Sequence, residues 1–216
     1  MEKIKHLYWR AGFGLSPTEW QQKREWPISK AIDELFTQAR QAQVALPMAE
    51  MGLPEDMEKK RENRELFEQV LREEKRRIFE YNVNWVYRMA NPKESALLER
   101  MTFFWHGHFA CKPDFGKLSM QYLNTLRKHA LGNFKDMLLA VAQDPAMIRY
   151  LNNQQNRKEK PNENFARELM ELFTLGRGNY TEKDIKEAAR AFTGWSSDLR
   201  GDYIFRPMWH DYGGKT

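Results

Sequence analysis

Residues 161–176 contain both ends of a helix, and this limits what the chain can fold into. Asn162 and Asn164 are candidate caps, because a short side-chain amide oxygen can accept hydrogen bonds from the free N–H groups of a first helical turn. Gly176 can adopt the left-handed conformation that ends a helix. Apolar residues recur between these ends at steps of three and four, which makes a broad apolar stripe along one side of the helix. They are Phe165, Leu169, Leu172, Phe173 and Leu175.

The opposite face of this helix carries an amide, a guanidinium and two carboxylates, three or four residues apart. Such a face is typical of a solvated surface with an internal Arg–Glu pair, or it is a functional site. In the functional interpretation, Glu168 and Glu171 are general bases or oxygen ligands. Arg167 then holds an anion with its two-pronged guanidinium, or it orients a carboxylate one turn away.

The rest of the chain repeats the same pattern of capped, amphipathic segments. The string Ser16-Pro17-Thr18-Glu19 predicts a helix start with a reciprocal cap. A helix over 27–38 is expected to bury four apolar residues: Ile28, Ile32, Leu35 and Phe36. A long helix is predicted over 55–89, followed by a helix that ends at about His106 and a loop over 107–116.

These segments predict an all-α fold, a multi-helix orthogonal or irregular bundle in a single domain over 1–216. Periodicity fails over 41–54, which we interpret as a connector. Residues 195–216 are rich in Ser, Asp and Gly and alternate in polarity, so a short irregular or hairpin tail is expected there. The single cysteine, Cys111, excludes a disulfide within the chain.

Histidines supply the second group of candidate site residues. On a continuous helix His106 and His108 point to different sides, but at a helix end, where Gly107 frees the backbone, both imidazoles can bind one metal ion. The alternative is that one ring joins an aromatic cluster while the other is exposed. His210 and Asp211 could add a third ligand, or an acid–base imidazole whose tautomer the carboxylate fixes. Lys215 follows a Gly-Gly turn and could contact a phosphate, although the spacing of a P-loop is missing.

Five segments together resemble a bacterial family known only as domain of unknown function 1800. The segments are 161–176 with its continuation through 180–182 and 189–195, then 6–14, 101–109, 129–134 and 210–216. The resemblance runs nearly end to end and in order, and it names no reaction. It implies that the His and Glu residues lie in one constellation, with a divalent metal ion as a possible cofactor. Family members are generally longer, which implies that this chain is the N-terminal part of a longer family domain.

Three functional hypotheses follow. The first is an enzyme-like helical domain with a His/carboxylate metal or anion site, and the second is a non-catalytic helical module that binds a partner protein. A nucleic-acid binder is the weakest, because 35 Lys and Arg are interspersed with 30 Asp and Glu rather than concentrated on one face. The partner is therefore an unknown small molecule or protein. The start has no apolar segment of signal-peptide length, so a cytoplasmic location is expected, with export possible in relatives.

Overall fold

The structure, a computed structural model, describes residues 2–47, 64–91, 93–113, 115–198 and 200–216. Within these ranges the chain is mostly helical and has one small antiparallel sheet, which confirms the prediction of an all-α fold. None of the described helices combines the length and the apolar character that crossing a bilayer requires.

Three helices form the N-terminal part, namely α1 (Glu2–Ala11), α2 (Pro17–Lys23) and α3 (Ile28–Gln41). The middle of the chain contains α4 (Arg64–Ala90), α5 (Ala96–His108), α6 (Gly116–His129), α7 (Phe134–Ala142) and α8 (Pro145–Tyr150). A 3₁₀ turn (Asn153–Gln155) leads to α9 (Glu163–Glu168), a π-helix (Leu169–Thr174) and α10 (Glu182–Ala191). The tail pairs β1 (Trp195–Ser197) with β2 (Tyr203–Phe205) and ends with a 3₁₀ turn (Pro207–Trp209).

Side-chain caps define several helix starts. Ser16 and Glu19 form the predicted reciprocal cap of α2, with the Ser16 hydroxyl accepting from the Glu19 N–H at 3.3 Å and the Glu19 carboxylate accepting from the Ser16 N–H at 3.0 Å. Thr181 and Asp184 form the same kind of reciprocal cap at the start of α10. Asn133 caps α7 by accepting from the Lys135 N–H at 2.8 Å. Each cap satisfies N–H groups that a helix cannot satisfy internally.

Several predicted boundaries need correction. Helix α3 extends to Gln41, and α5 continues to His108 instead of ending at about His106. The predicted connector over 41–54 is described only as far as residue 47, and residues 42–47 contain no helix or strand. This part is fixed by Arg127, which donates hydrogen bonds to the carbonyls of Val44 (2.7 Å) and Gln43 (3.1 Å). The first residues of the predicted helix over 55–89 lie outside the described ranges.

The prediction for the buried face of α3 was wrong for three of its four residues. Leu35 is buried, but Ile28, Ile32 and Phe36 are 42%, 39% and 46% exposed. The helix instead turns Leu35 and two small residues, Ala31 and Ala39, toward α1 and α5. Alanines allow a close approach between helices, so burial here follows the small residues rather than the large ones.

The main core lies in the C-terminal two thirds of the chain, where α5 to α9 and the π-helix meet. Its members are Phe109, Leu118, Tyr122, Leu126, Met137, Val141, Ala142, Ala146, Met147, Leu151, Phe165, Leu169 and Phe173.

Two buried asparagines complete this region at the junction between the 3₁₀ turn, α9, α10 and the hairpin. The amide of Asn156 donates to Ala189 O (2.8 Å) and accepts from the N–H of Asn162 (2.8 Å), while Asn153 donates to Phe192 O and Trp195 O. The tail is therefore held on the same framework that positions α9.

Candidate functional site

The predicted helix over 161–176 is divided between α9 and the π-helix. Asn162 caps α9 as predicted, since its side-chain oxygen accepts from the N–H of Asn164 at 3.0 Å. Over Leu169–Thr174 the hydrogen bonds change to a five-residue step, and this step continues as the N–H of Leu175 donates to Met170 O at 2.8 Å. A π-helix turn contains an extra residue and is frequent at functional sites. The side chains beyond Glu168 are therefore rotated relative to a regular helix.

Arg167 connects α9 to the start of α10. Its Nη1 and Nη2 donate to the two oxygens of Glu182, both at 2.8 Å, and Nη2 also donates to Glu163 at 3.1 Å. These hydrogen bonds to Glu182 lower the pKa of that carboxyl. The guanidinium of Arg167, which the sequence predicted could hold an anion, thus already binds carboxylates of the chain itself. An external anion would have to displace Glu182, which is exposed.

The two predicted carboxylates of this segment differ in their partners. Glu171 accepts hydrogen bonds from Arg177 and from the Tyr180 hydroxyl (2.9 Å), and the bond from Arg177 is the main cause that lowers the pKa of Glu171. Glu168 is half-buried, and no hydrogen bond or ion pair engages it within the described residues. Glu168 is therefore the more accessible base of the two.

His106 and His108 lie on the same helix, α5, and point to different neighbours. The ring of His106 lies 5.4 Å from that of Trp85, and partial shielding from water lowers the pKa of His106, although the residue stays exposed. The Nε2 atom of His108 lies 3.0 Å from Phe173 O, on the π-helix. Because a carbonyl only accepts, this contact places the proton of neutral His108 on Nε2. The continuous helix keeps the two imidazoles on different sides, as the spacing requires when no break intervenes.

His210 lies at the end of the tail, against the turn that follows α10. Its Nδ1 is 2.7 Å from Thr193 O and 3.3 Å from the Thr193 hydroxyl. That hydroxyl donates to Arg190 O at 2.6 Å, so its proton is already used. Nδ1 therefore faces acceptors and must carry the proton, which leaves the lone pair on Nε2. The rings of Phe205 and Tyr212 pack edge-on against the imidazole, at 5.2 and 4.8 Å between centroids.

Asp211 does not orient His210, because its carboxylate is bound to Arg190. The Nε and Nη2 of Arg190 donate to the two oxygens of Asp211 at 2.7 and 3.3 Å, and these bonds lower the pKa of Asp211 to about 2. Arg190 also donates to both oxygens of Glu187. Lys215 donates to the backbone carbonyl of Asp211. The sequence-predicted partner of His210 is thus replaced by the Thr193 carbonyl, a contact between residues distant in sequence.

The predicted site residues occupy separate positions in the described part of the chain. The π-helix meets α5 at His108, His106 lies against α4, and His210 with Asp211 and Lys215 lies beyond α10. No group of three or more His, Cys, Asp or Glu residues in the described ranges is placed to hold a metal ion. A catalytic or binding site at any one of these positions would therefore include only some of the predicted residues.

A buried polar network that the sequence did not indicate lies between α1, α2 and α3. Lys23 is 7% exposed, donates to Glu34 at 2.9 Å and lies 4.9 Å from the Tyr8 ring centroid. The Tyr8 hydroxyl also donates to Glu34, and burial is the main cause that raises the pKa of Tyr8. Tyr8, Lys23 and Glu19 line a pocket of about 490 Å³. In the sequence, Glu19 and Lys23 look like an ordinary exposed pair at a four-residue spacing, so nothing indicated the burial of Lys23.

Comparison with known proteins agrees with the resemblance noted in the sequence. The model of a family described as "Protein of unknown function (DUF1800)" matches residues 6–216. No curated protein and no solved structure shows a significant match to the chain.

Proposed function

We propose an enzyme-like, acid–base function for this chain, which belongs to the family of proteins of unknown function DUF1800, with His210 as the acid–base group. The observation that carries the proposal is the contact between His210 Nδ1 and Thr193 O at 2.7 Å. It fixes one tautomer and leaves the Nε2 lone pair without a protein partner in the described residues. An imidazole held in this way is ready to take a proton from a bound molecule.

The surroundings of His210 support this role in both protonation states. When Nε2 takes up a proton, the Nδ1–H group can keep its hydrogen bond to the Thr193 carbonyl. The neighbouring N–H of Asp211 donates to the Thr193 hydroxyl at 2.8 Å, so the turn that presents the carbonyl is itself fixed. The edges of Phe205 and Tyr212 limit rotation of the ring. The imidazole thus keeps one orientation throughout a proton transfer.

The other predicted site residues have different roles in this proposal. Glu168 has an unengaged carboxylate and is the second candidate base, whereas Glu171 and Arg167 position the segment around it through their ion pairs. The predicted metal site of His106, His108, His210 and Asp211, and the predicted phosphate contact of Lys215, stay predictions. Metal analysis of the purified chain tests the former. Stoichiometric metal that is lost in His106→Ala supports it, and a folded chain without bound metal speaks against it.

A single substitution with a matched control tests the acid–base role. In His210→Asn the side-chain amide can still donate to Thr193 O, while the Nε2 lone pair is lost. Hydrolysis of chromogenic acetate and phosphate esters by the purified chain should fall roughly 100-fold or more in this variant. His6→Asn, an exposed histidine on α1, should retain full turnover. Equal turnover in both variants, or none above buffer in the unmodified chain, would remove the proposal.

The interaction-module hypothesis has one specific observation in its favour. Trp9 on α1 is 69% exposed, and α3 also exposes Ile28, Ile32 and Phe36. Large apolar side chains exposed together on adjacent helices are typical of surfaces that bind another protein. Sedimentation of the chain over a concentration series tests whether this surface joins copies of the chain. Replacement of Trp9 by Ser should then shift the equilibrium toward monomer.

A further inference from the structure

Two arginines stack on one tryptophan where the tail meets the turn before α9. The guanidinium carbon of Arg157 lies 3.8 Å from the ring centroid of Trp209, and that of Arg206 lies 4.5 Å from it. Both arginines are exposed, while Trp209 is half-buried. Attraction between a guanidinium and the face of an indole holds each cation in a defined position. We refer to Arg157, Trp209 and Arg206 as the arginine clamp.

Backbone hydrogen bonds fix the clamp in place. The N–H of Lys158 donates to Trp209 O at 2.8 Å, and the N–H of Trp209 donates to Arg206 O at 3.0 Å. The N–H of Arg206 donates in turn to Gly194 O at 2.8 Å, and the N–H of Gly194 donates to Asn156 O at 3.1 Å. The backbone beside each guanidinium is thus attached to the buried Asn156. Preorganisation of this kind reduces the entropy lost when a ligand is bound.

The clamp is a concentration of positive charge that forms no ion pair with a carboxylate in the described part of the chain. No hydrogen bond or ion pair engages the guanidinium of Arg157 or Arg206 within the described residues, although arginine presents five N–H donors. Lys158 and Lys160 add two cations in the same turn. The one carboxylate of this turn, Glu159, is 67% exposed and lies 3.8 Å from the amine of Lys158. Two guanidinium groups on one ring repel each other, and a shared anion would relieve this repulsion.

We propose that the arginine clamp binds a phosphate group of a small molecule. The guanidinium carbons lie 3.8 and 4.5 Å from the same ring centroid, so they are at most about 8 Å apart, and both side chains are exposed and can reach a phosphate placed beside the ring. Guanidinium groups donate paired hydrogen bonds to phosphate oxygens, and a phosphate dianion matches the two positive charges of the clamp. The proposal is independent of the acid–base role of His210, because it uses other side chains and requires no reaction.

Titration calorimetry of the whole chain with inorganic phosphate at low ionic strength tests the proposal. Arg157→Gln and Arg206→Gln should each weaken binding about ten-fold or more, since each removes charge-assisted hydrogen bonds. Because both side chains are exposed, neither substitution disturbs the core. Trp209→Leu should also weaken binding, because the guanidinium groups then lose the ring that orients them.

Arg72→Gln is the matched control. Arg72 is an exposed arginine on α4 that stacks on no ring of the described residues, so its removal lowers the net charge equally and should leave the affinity unchanged. Equal weakening in Arg72→Gln would show a general charge effect and would overturn the proposal. So would the absence of phosphate binding, or unchanged affinity in both clamp variants. Binding of a single-stranded oligonucleotide, lost in the clamp variants and not competed by phosphate, would overturn it in favour of a nucleic-acid surface.

Discussion

Arg127 of α6 and Glu99 of α5 form an ion pair that is almost completely enclosed, with each residue 1% exposed. The same Glu99 oxygen accepts from the indole N–H of Trp85 at 2.9 Å. Arg127 also binds the carbonyls of Gln43 and Val44, so one buried guanidinium connects α5, α6 and the segment after α3. Two charges in such a place are tolerated because each neutralises the other, with Arg88 Nε a further 3.7 Å contact of Glu99 Oε1.

Removal of one member of this pair should therefore be much more harmful than removal of both charges. Arg127→Met leaves the buried Glu99 carboxylate with Arg88, whose Nε lies 3.7 Å from Glu99 Oε1, as its ion-pair partner. The loss of the closer partner should lower the free energy of unfolding by about 3–5 kcal/mol. The double variant Arg127→Met, Glu99→Gln should lose less than the two single variants together, because no buried charge remains. Urea denaturation of the three variants measures the coupling. Strictly additive losses would contradict this account.

Asn156 offers a second test, of a buried amide rather than a charge. Its side chain makes hydrogen bonds to Ala189 O, Asn153 Oδ1 and the N–H of Asn162. Asn156→Ala should lower the free energy of unfolding by about 2–4 kcal/mol, since three buried groups lose a partner. Asn82→Ala, on an exposed position of α4, should change it by less than about 0.5 kcal/mol. Equal losses in thermal denaturation would show that the buried network contributes nothing specific.

The sequence predicted the helix starts well, because caps are local. Ser16 and Asn162 act within three residues of their own position, and the structure confirms both. Asn133 and Thr181 cap α7 and α10 in the same local way. Gly176 likewise adopts the expected positive φ, +77°. The buried face of α3 was not predictable in the same way. The spacing of apolar residues in α3 is compatible with two neighbouring faces as the buried one, and only packing against α1 and α5 determines which face is buried.

The candidate functional residues depend on contacts between distant parts of the chain. The tautomer of His210 is set by Thr193, and Lys23 is buried by α1 and α3. Neither contact can be inferred from the spacing of nearby residues in the sequence. The stretch 152–160 consists of polar residues, yet Asn153 and Asn156 are fully buried in it. Asn side chains occur both in exposed turns and in buried hydrogen-bond networks, so composition alone cannot distinguish an exposed turn from a buried one.

Asp144 should make stability depend on pH. It caps α8 and accepts from the Thr125 hydroxyl at 2.7 Å, but burial raises the pKa of Asp144 from 3.8 to about 6. The folded state thus binds this proton more tightly than the unfolded state does. The stabilising contribution is complete below the unfolded pKa of about 4 and is lost as the pH rises through about 6.

Asp144→Asn should therefore stabilise the chain at about pH 7.5 by roughly 2–3 kcal/mol relative to its effect at about pH 4. An amide at this position can still accept from the N–H of Ala146 and keep the cap. Urea denaturation at the two pH values measures the difference. Asp136→Asn, an exposed position on α7, is the control and should show no such difference. A pH-independent effect of Asp144→Asn would mean that its carboxyl is not penalised by burial.

Gly194 connects the framework to the proposed site, so its substitution should affect both. It has a φ of +81°, and a Cβ atom there would lie 2.6 Å from Arg206 O and 3.3 Å from the N–H nitrogen of His210. Gly194→Ala must therefore displace the turn that carries Trp209 and His210, in addition to the strain of the left-handed conformation. We expect a loss of more than about 2 kcal/mol in unfolding free energy and altered imidazole signals of His210 in NMR spectra. Gly214→Ala, which meets no atom within 4 Å, should leave both unchanged. If Gly194→Ala left the His210 signals in place, the close approach of the two segments would be wrong.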